Sequence, residues 1–301
     1  MKFAGATILT LAFSLLFNAA AVGQSRHSSR GDSATDGTVL SVTAVRDGDK
    51  PEPIRAENLF LYENAIEQKI RNLTLDPSPA RIVLLVDNSQ TLPTTLENLK
   101  KAAMEFAYEI FDGDQLFTIA YDEKAEIIQE WTDDAKKMEA SLETFRKKGN
   151  PHLFDAINVS LKEILLPLMP GTRKTAVVII GDGLDRGSKT PFDKVLSELQ
   201  AHNVTVYALQ IPDRTGGAYR RDQPKAGAVI TQLVEGTGGR FFPFAESQTA
   251  AKAICDELRK NRFLLSYQPT NTSSYDARKI FLMADEGISV RLKAMHPPNI
   301  K

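Results

Sequence analysis

Two apolar runs, each ending in an aspartate, are the sequence feature that most constrains the fold. "RIVLLVD" occupies residues 81–87 and "TAVVIIGD" occupies residues 175–182, and both are rich in Ile and Val. Runs of this kind are typical of central strands that are covered on both faces of a parallel sheet. Strand patterns alternate with helical patterns from residue 81 to about 262, which indicates βαβ units. The sequence therefore predicts an α/β fold.

The predicted sheet is doubly wound and mostly parallel, with strand order 3-2-1-4-5-6. "QLFTIAY" (115–121) is predicted as strand 2, and "AEIIQEW" (125–131) follows it after three residues. So short a connection cannot form a crossover, so strand 3 is predicted to be antiparallel. In this order strand 1, which ends at Asp87, lies beside strand 4, which ends at Asp182. Open α/β sheets bind ligands at the carboxyl ends of the strands, where the winding reverses.

Both ends of the chain have β patterns. Residues 38–76 and 263–301 alternate apolar and polar side chains, but neither segment has enough apolar residues to form a stable sheet alone. We therefore expect the two segments to pack together as one small β module beside the α/β domain of residues 81–262. "NLFLYENAIEQKIRNL" is predicted to form two strands, and Asp285-Glu286-Gly287 is predicted to be a hairpin turn.

Two helices of the α/β domain are predicted near its functional edge. One is expected over about 152–166. The other begins in "TPFDKVLSELQAHN", where Thr190 is predicted as the N-cap and Pro191 occupies the first turn.

The first 23 residues are predicted to be a secretory signal peptide. "MKFAGATILTLAFSLLFNAAAVG" has one Lys, an apolar core and small residues before the expected cleavage site after Gly23. Its apolar core is short for a membrane span, although a retained anchor is the alternative. Residues 24–37 have no apolar side chain larger than Ala and are predicted to be a disordered leader. The protein is thus expected to be exported to the periplasm or beyond the cell.

Charge and cysteine content exclude several classes of function. Without the signal peptide, which contains Lys2, the chain has 36 basic and 38 acidic residues, a formal net charge of −2. This balance does not favour binding to nucleic acid or to a membrane surface. Cys255 is the single cysteine, so an intrachain disulfide is impossible. Cys255 lies on an apolar helical face and is expected to be buried.

Oxygen-bearing side chains follow the first and fourth strands. Asp87, Ser89 and Thr91 come at every second position in "DNSQT", and Asp182 ends the other apolar run. Carboxylate and hydroxyl oxygens at the same edge of a sheet suit Mg²⁺, which binds one or two carboxylates and several waters. A turn with a helix N-cap would use the same residue types without binding a metal, so both interpretations remain open at this point.

In its motifs the chain resembles the von Willebrand factor A-like family, and particularly a secreted bacterial subgroup with an attached β module. Asp87, Ser89 and Thr91 match the first element of that family's metal-ion-dependent adhesion site (MIDAS), and Asp182 matches its last aspartate. "LFDAI" (153–157) and "GTGGRFF" (236–242) match further family positions. The resemblance implies a non-enzymatic, adhesion-type protein-interaction module that binds Mg²⁺ through Asp87, Ser89, Thr91 and Asp182.

One family position departs from the pattern. Pro151, in "GNPHL", stands where the family has a metal-ligating Thr, and Pro has no side-chain oxygen. The resemblance then implies a degenerate MIDAS that binds Mg²⁺ weakly or not at all, unless Asn150 or His152 supplies a ligand. A structural envelope protein with a vestigial site is the alternative function.

A Mg²⁺-dependent phosphatase of the haloacid-dehalogenase type is a less favoured alternative. Such enzymes use Asp-x-Asp-x-Thr, in which the second Asp is the general acid, and Ser89 occupies that position here. A serine hydroxyl cannot replace a carboxylic acid as proton donor at neutral pH. We therefore predict that the protein is not an enzyme.

A long loop after the fifth strand is predicted to bind the partner. "PDRTGGAYRRDQPK" (212–225) contains Arg214, Tyr219, Arg220 and Arg221, which are residue types common in binding hot spots. Two arginines beside a cation site would select an acidic group on a partner protein. A solvated loop without a partner would have a similar composition.

Overall fold

The structure is a computed structural model that describes residues 37–48, 52–169, 171–172, 174–213, 223–270 and 275–298. Its strands are β1 Thr38–Arg46, β2 Leu59–Glu63, β3 Ile66–Gln68, β4 Ile70–Leu75, β5 Arg81–Asp87, β6 Gln115–Tyr121, β7 Ala125–Thr132, β8 Thr175–Gly181, β9 Thr205–Gln210, β10 Phe241–Pro243, β11 Arg262–Tyr267, β12 Arg278–Ala284, β13 Ile288–Arg291 and β14 Met295–His296. Its α-helices are α1 Leu96–Glu109, α2 Ala135–Leu142, α3 Leu153–Val159, α4 Phe192–Ala201, α5 Ala226–Thr237 and α6 Ser247–Lys260.

The central sheet has the order β10-β9-β8-β5-β6-β7, and β7 is antiparallel to its neighbour. The other pairs in this sheet are parallel. This is the predicted doubly wound order with an antiparallel third strand, so the predicted fold class is confirmed. β5 and β8 are neighbours, with Val86 opposite Ile180.

The apolar runs are buried because helices cover both faces of this sheet. Ile82, Leu84 and Val86 of β5 pack on the side of α1, α2 and α6. Val83 and Leu85 point the other way and pack on the side of α3, α4 and α5. Successive side chains of a strand face opposite sides, so a strand buried on both faces needs an uninterrupted apolar sequence.

The β module consists of two four-stranded sheets, and each contains strands from both ends of the chain. Their orders are β13-β1-β11-β4 and β14-β12-β2-β3. Leu40, Leu61, Leu265 and Leu282 come from both sheets and belong to one buried apolar cluster. The predicted packing of the two chain ends into one small β module is thus confirmed.

Two local predictions in the β module are wrong because the chain crosses between the sheets. The segment predicted to form two strands forms three, since Lys69 separates β3 in one sheet from β4 in the other. The predicted hairpin at Asp285-Glu286-Gly287 is also absent, because β12 pairs with β2 and β14, whereas β13 pairs with β1. Alternation alone does not distinguish a hairpin from such a crossing.

The helices near the predicted functional edge differ in detail from the prediction. The helix expected over 152–166 is α-helical over Leu153–Val159 and continues as a π-helical turn over Ser160–Leu165. Thr190 is not the N-cap of α4: Pro191 occupies that position, and the Thr190 hydroxyl instead donates a 2.7 Å hydrogen bond to Asp155.

A buried polar junction joins the β module to the α/β domain. Glu257 of α6 accepts hydrogen bonds from the Thr43 hydroxyl at 3.1 Å and from the Tyr207 hydroxyl at 2.7 Å, and it pairs with Arg240 and Arg291. Thr43 and Arg291 belong to the β module, so one carboxylate connects both parts of the chain. Within the described residues, no helix has both the length and the apolar composition needed to cross a membrane.

Candidate functional site

Asp87 lies at the carboxyl end of β5 and is fully buried. Its Oδ1 accepts a 2.8 Å hydrogen bond from the backbone N–H of Ser89, which holds the chain in a tight turn directly after the strand. Its Oδ2 is buried and makes no hydrogen bond of ordinary geometry to any described residue. A buried carboxylate oxygen without a partner is costly, so this atom is available to a proton, a water or a cation.

The hydroxyls of Ser89 and Thr91 are adjacent, with their oxygens 3.1 Å apart. Ser89 is fully buried and Thr91 is partly buried. Asn88 between Asp87 and Ser89 anchors this turn, because its backbone N–H donates to the Tyr121 carbonyl and its side-chain amide donates to the Arg146 carbonyl. The predicted first element of the site is therefore one ordered turn.

Asp182 follows β8 directly and is also buried. Its Oδ1 accepts a 2.9 Å hydrogen bond from the backbone N–H of Leu184. Gly181, which directly precedes Asp182, lies so close to β5 and β6 that an added Cβ would be 3.1 Å from Asp87 Cβ and 2.9 Å from the Tyr121 hydroxyl. The structure therefore places Asp87, Ser89, Thr91 and Asp182 at the same edge of the central sheet, which we call the top edge.

The top edge accumulates negative charge in a buried setting. Burial raises the pKa of Asp87 to about 7, and the Asp182 carboxylate acts in the same direction. Burial also raises the pKa of Asp182, and the charge of Asp213 adds to this effect. Burial and the Asp87 charge raise the pKa of Tyr121, whose buried hydroxyl lacks a hydrogen bond of ordinary geometry to any described residue. A bound cation would relieve these costs.

Lys147 does not neutralise Asp87 by a direct ion pair. Its Nζ donates 2.6 Å hydrogen bonds to the carbonyl oxygens of Leu92 and Thr94, so the ammonium group is hydrogen-bonded to the backbone. Burial lowers the pKa of Lys147, and the charge of Asp87 opposes that shift. The positive charge of Lys147 therefore lowers the pKa of Asp87 only slightly.

Pro151, which is predicted to stand at the family's Thr position, is buried and has no side-chain oxygen. Its carbonyl accepts a 2.7 Å hydrogen bond from the backbone N–H of Arg186. Of the two residues that could compensate, Asn150 is exposed, and the His152 imidazole packs so closely against Gly187 that an added Cβ there would clash with Nε2. The carboxylate and hydroxyl oxygens of the top edge are donors of the kind that a hard cation prefers, and Pro151 adds no further side-chain oxygen to them.

Asp155 and Asp185 connect two segments of the top edge, and no sequence pattern singled them out for this role. Asp155 lies in the first turn of α3 and Asp185 lies in the loop after β8, and each accepts hydrogen bonds from the other's segment. Asp155 lies inside the "LFDAI" motif, but its partners are 34 and 35 residues away, and no local pattern predicts such pairing. Within the described part of the chain, no group of three or more His, Cys, Asp or Glu side chains could hold a metal.

The predicted partner-binding residues Arg214, Tyr219, Arg220 and Arg221 lie outside the described residues. The segments that flank them are placed at the top edge. The backbone N–H of Ile211 donates to the Gly181 carbonyl at 2.9 Å, and the Gln223 side chain donates to the Asp185 carbonyl at 3.0 Å. The described residues on either side of this segment therefore contact Gly181 and Asp185.

Comparison with protein families gives one match that decides the classification. Residues 82–184 match the model of the von Willebrand factor type A domain. This chain contains a von Willebrand factor type A domain. The matched segment runs from β5 to the residues just after β8, so it includes Asp87, Ser89, Thr91, Pro151 and Asp182. No curated protein matches the chain.

Several solved structures are similar to this chain. An aerotolerance-related membrane protein from Bacteroides fragilis has a TM-score of 0.47 and 20% identity, over 60% of this chain and 99% of that one. A von Willebrand factor type A protein from Catenulispora acidiphila has a TM-score of 0.49 and 9% identity, over 87% and 75%. Proximal thread matrix protein 1 from the mussel byssus, with a zinc-occupied MIDAS motif, has a TM-score of 0.47 and 13% identity, over 65% and 49%.

Proposed function

We propose that this protein is an exported, non-enzymatic protein-interaction module of the adhesion type, which binds its partner at the top edge. The observation that carries this proposal is the placement of Asp87, Ser89, Thr91 and Asp182 together at the carboxyl edge of the central sheet, where α/β folds bind ligands. Export rests on the signal-peptide pattern of residues 1–23, and the location is the periplasm or the outside of the cell.

The top edge is proposed to be a degenerate MIDAS that holds Mg²⁺ weakly. Asp87, Ser89, Thr91 and Asp182 would hold the ion, which would supply an open coordination position for a partner's carboxylate. The unpaired Asp87 Oδ2 and the raised pKa of Asp87 support this role, because a cation would stabilise the ionised form. The missing oxygen at Pro151 is the reason that binding is expected to be weak.

The partner is proposed to be a protein that offers an acidic group. The residues proposed to pair with that acidic group belong to the segment between Ile211 and Gln223, whose ends contact Gly181 and Asp185. They are Arg214, Tyr219, Arg220 and Arg221. The same acidic group could then contact the ion and the arginines together. The sequence suggests no nucleic-acid partner and no membrane insertion.

A structural envelope protein with a vestigial site is the second candidate. Pro151 favours it, and so does the direct hydrogen bonding between loops that surround Asp182. A phosphatase is disfavoured by the position of Ser89, which is fully buried and hydrogen-bonded to Thr91 where a general acid would be needed. The protein with Mg²⁺ should therefore show no phosphomonoesterase activity above background.

A capture experiment tests the proposed interaction function. The mature chain is immobilised and exposed to envelope extract with Mg²⁺ or with EDTA, beside a variant in which Tyr219, Arg220 and Arg221 are all replaced by Ala. We expect the parent to retain a specific protein and the variant to lose it at an unchanged melting temperature. Replacing the exposed Lys69 and Arg71 of the β module by Ala is the matched control for lost positive charge. Equal capture by parent and triple variant contradicts the proposal.

A further inference from the structure

Asp155, near the beginning of α3, is hydrogen-bonded to the loop that follows Asp182. We call residues 182–191 the third loop and residues 143–152 the second loop. Asp155 Oδ2 accepts from the backbone N–H of Lys189 at 2.9 Å. Asp155 Oδ1 accepts from the backbone N–H of Thr190 at 2.9 Å and from its hydroxyl at 2.7 Å. Both carboxylate oxygens of Asp155 are thereby used by the third loop.

Asp185 of the third loop makes the reciprocal contacts. Its Oδ1 accepts from the backbone N–H of Phe154 at 3.2 Å and from the Ser188 hydroxyl. Its Oδ2 accepts from the backbone N–H of Ser188 at 3.3 Å. The Ser188 hydroxyl oxygen in turn accepts from the backbone N–H of Asp155 at 3.0 Å, so the two aspartates share one network.

The network extends to the other segments of the top edge. The Arg186 backbone N–H donates to the Pro151 carbonyl at 2.7 Å, which fixes the end of the second loop. The Gln223 side chain donates to the Asp185 carbonyl at 3.0 Å, which fixes the segment after the predicted partner loop. The hydrogen bonds of the Asp185 carboxylate are buried and therefore sheltered from competing water. Those that Asp155 accepts from Thr190 are partly buried, and the one from Lys189 is exposed.

We propose that Asp155 and Asp185 are positioning residues that fix the third loop against the start of α3, directly after the second loop, so that the top edge is assembled without a divalent cation. We call this network the Asp155–Asp185 bridge. Hydrogen bonds to ionised carboxylates are stronger than those between neutral groups, and at least six of them converge here. If the proposed interaction function holds, a bound ion would add affinity for the partner but would not be needed to order the top edge. This consequence rests on the proposed function.

Hydrogen–deuterium exchange at single-residue resolution tests this inference on the full chain. In EDTA, the backbone amides of Lys189, Thr190 and Phe154 should be protected, and adding Mg²⁺ should leave their exchange unchanged. In Asp155→Ala, the amides of Lys189 and Thr190 should exchange about tenfold faster or more. Protection in the parent chain that appears only with Mg²⁺ overturns the proposal, and so does unchanged exchange in Asp155→Ala.

A conservative variant separates the bridge from a general structural role. In Asp155→Asn one acceptor oxygen remains, and the new amide group cannot accept a hydrogen bond. Protection should therefore persist on one side, at either Lys189 or Thr190, and be lost on the other. Equal exchange at both residues, whether fast or slow, contradicts the assignment. The matched control is Asp193→Ala, which removes an exposed aspartate three residues beyond Thr190 and should leave both amides unchanged.

The exchange measurement and the capture experiment fail independently. If the amides behave as expected but no protein is captured at the top edge, the bridge stands and the proposed interaction function is wrong. If capture occurs but the third loop is protected only with Mg²⁺, the interaction function stands and the bridge is wrong.

Discussion

Asp87 uses one carboxylate oxygen to accept a 2.8 Å hydrogen bond from the Ser89 backbone N–H, while its other oxygen is buried without such a partner among the described residues. The two oxygens of one residue thus have opposite roles. The first shapes the turn after β5, and the second is open to a proton, a water or a cation. Burial raises the pKa of Asp87 to about 7, and the hydrogen bonds from Ser89 oppose that shift.

The first prediction concerns the pH dependence of stability. The pKa of Asp87 is about 7 in the folded chain, against an ordinary value of 3.8. Ionisation of Asp87 therefore destabilises the folded state. The contribution of Asp87 to the free energy of unfolding is complete below pH 4 and is lost as the pH rises through about 7. Asp87→Asn keeps an acceptor for the Ser89 N–H but cannot ionise. In EDTA, the unfolding free energy of this variant should gain roughly 4 kcal/mol relative to the parent between pH 4 and pH 8.

The difference between variant and parent isolates Asp87 from other buried groups. Burial lowers the pKa of Lys293 to about 7, so that residue also changes stability with pH, but equally in both proteins. Chemical denaturation at several pH values supplies the measurement. A constant free-energy difference between pH 4 and pH 8 would show that Asp87 is not titrating in the folded chain as described.

The central sheet was predictable from the sequence, whereas the pairing in the β module was not. β5 and β8 need apolar residues on both faces, and an uninterrupted Ile/Val run of this length, bounded by turn residues, fits few structures besides a buried strand. In the β module, β12 and β13 alternate in the same way whether they pair with each other or lie in separate sheets. Only the tertiary structure decides this, because pairing with β1 or β2 depends on residues more than 200 positions away.

The candidate site was predictable only where its residues follow strands directly. Asp87 and Asp182 each come at the end of an apolar run, so their positions could be inferred from strand order. Asp155 gave no such signal, because its role depends on Lys189 and Thr190, which lie in a loop 34 and 35 residues further along the chain. The misplaced N-cap has the same cause: the Thr190 hydroxyl is engaged by Asp155 and so is not available to α4.

The second prediction concerns the close approach of Gly181 to Asp87 and Tyr121. In Gly181→Ala the new methyl group would lie 2.9 Å from the Tyr121 hydroxyl and 3.1 Å from Asp87 Cβ, so Tyr121 or β5 must move. We expect a loss of about 1–3 kcal/mol in the free energy of unfolding, as is usual for overpacking. Urea denaturation of the variant and the parent measures this loss.

Gly227→Ala is the matched control for that change. Gly227 lies in α5, and the nearest atom to an added Cβ is the Gln210 Nε2 at 3.9 Å. Ala has the better helix propensity, so this variant should be neutral or more stable by up to about 1 kcal/mol. Equal effects of the two substitutions would contradict the described packing around Gly181.

The third prediction concerns the junction between the β module and the von Willebrand A domain. Glu257→Ala would leave Arg291, Arg240 and the Tyr207 hydroxyl without their shared carboxylate. Removing one partner from a fully buried ion pair costs about 3–5 kcal/mol. The side chains of Arg240 and Arg291 are 38% and 29% exposed, so water can solvate them in the variant and the loss should lie below that range. Equilibrium unfolding should detect this loss, together with earlier proteolysis within the β module, because Thr43 and Arg291 are anchored by the same residue.

The neighbouring aspartate is a suitable control for the junction. Asp256 pairs with Lys260 one turn away, at the helix surface, and its side chain is 31% exposed. Exposed pairs of this type contribute about 0–1 kcal/mol, so Asp256→Ala should be nearly neutral. If Glu257→Ala is equally mild, the buried junction does not hold the two parts together.

The central claim is that the top edge is a MIDAS weakened by Pro151, and a Mg²⁺ titration of thermal stability tests it most directly. The parent is compared with Pro151→Thr, which restores a hydroxyl, and with Pro151→Ala, which removes the ring without adding an oxygen. Ligand at a hundred times its Kd stabilises a protein by about 2.7 kcal/mol, which is a melting shift of roughly 5–10 °C for a chain of this length. Pro151→Thr should reach that shift at a Mg²⁺ concentration at least about tenfold lower than the parent or Pro151→Ala needs. Identical responses of Pro151→Thr and Pro151→Ala, or a full shift of the parent at micromolar Mg²⁺, would contradict the account.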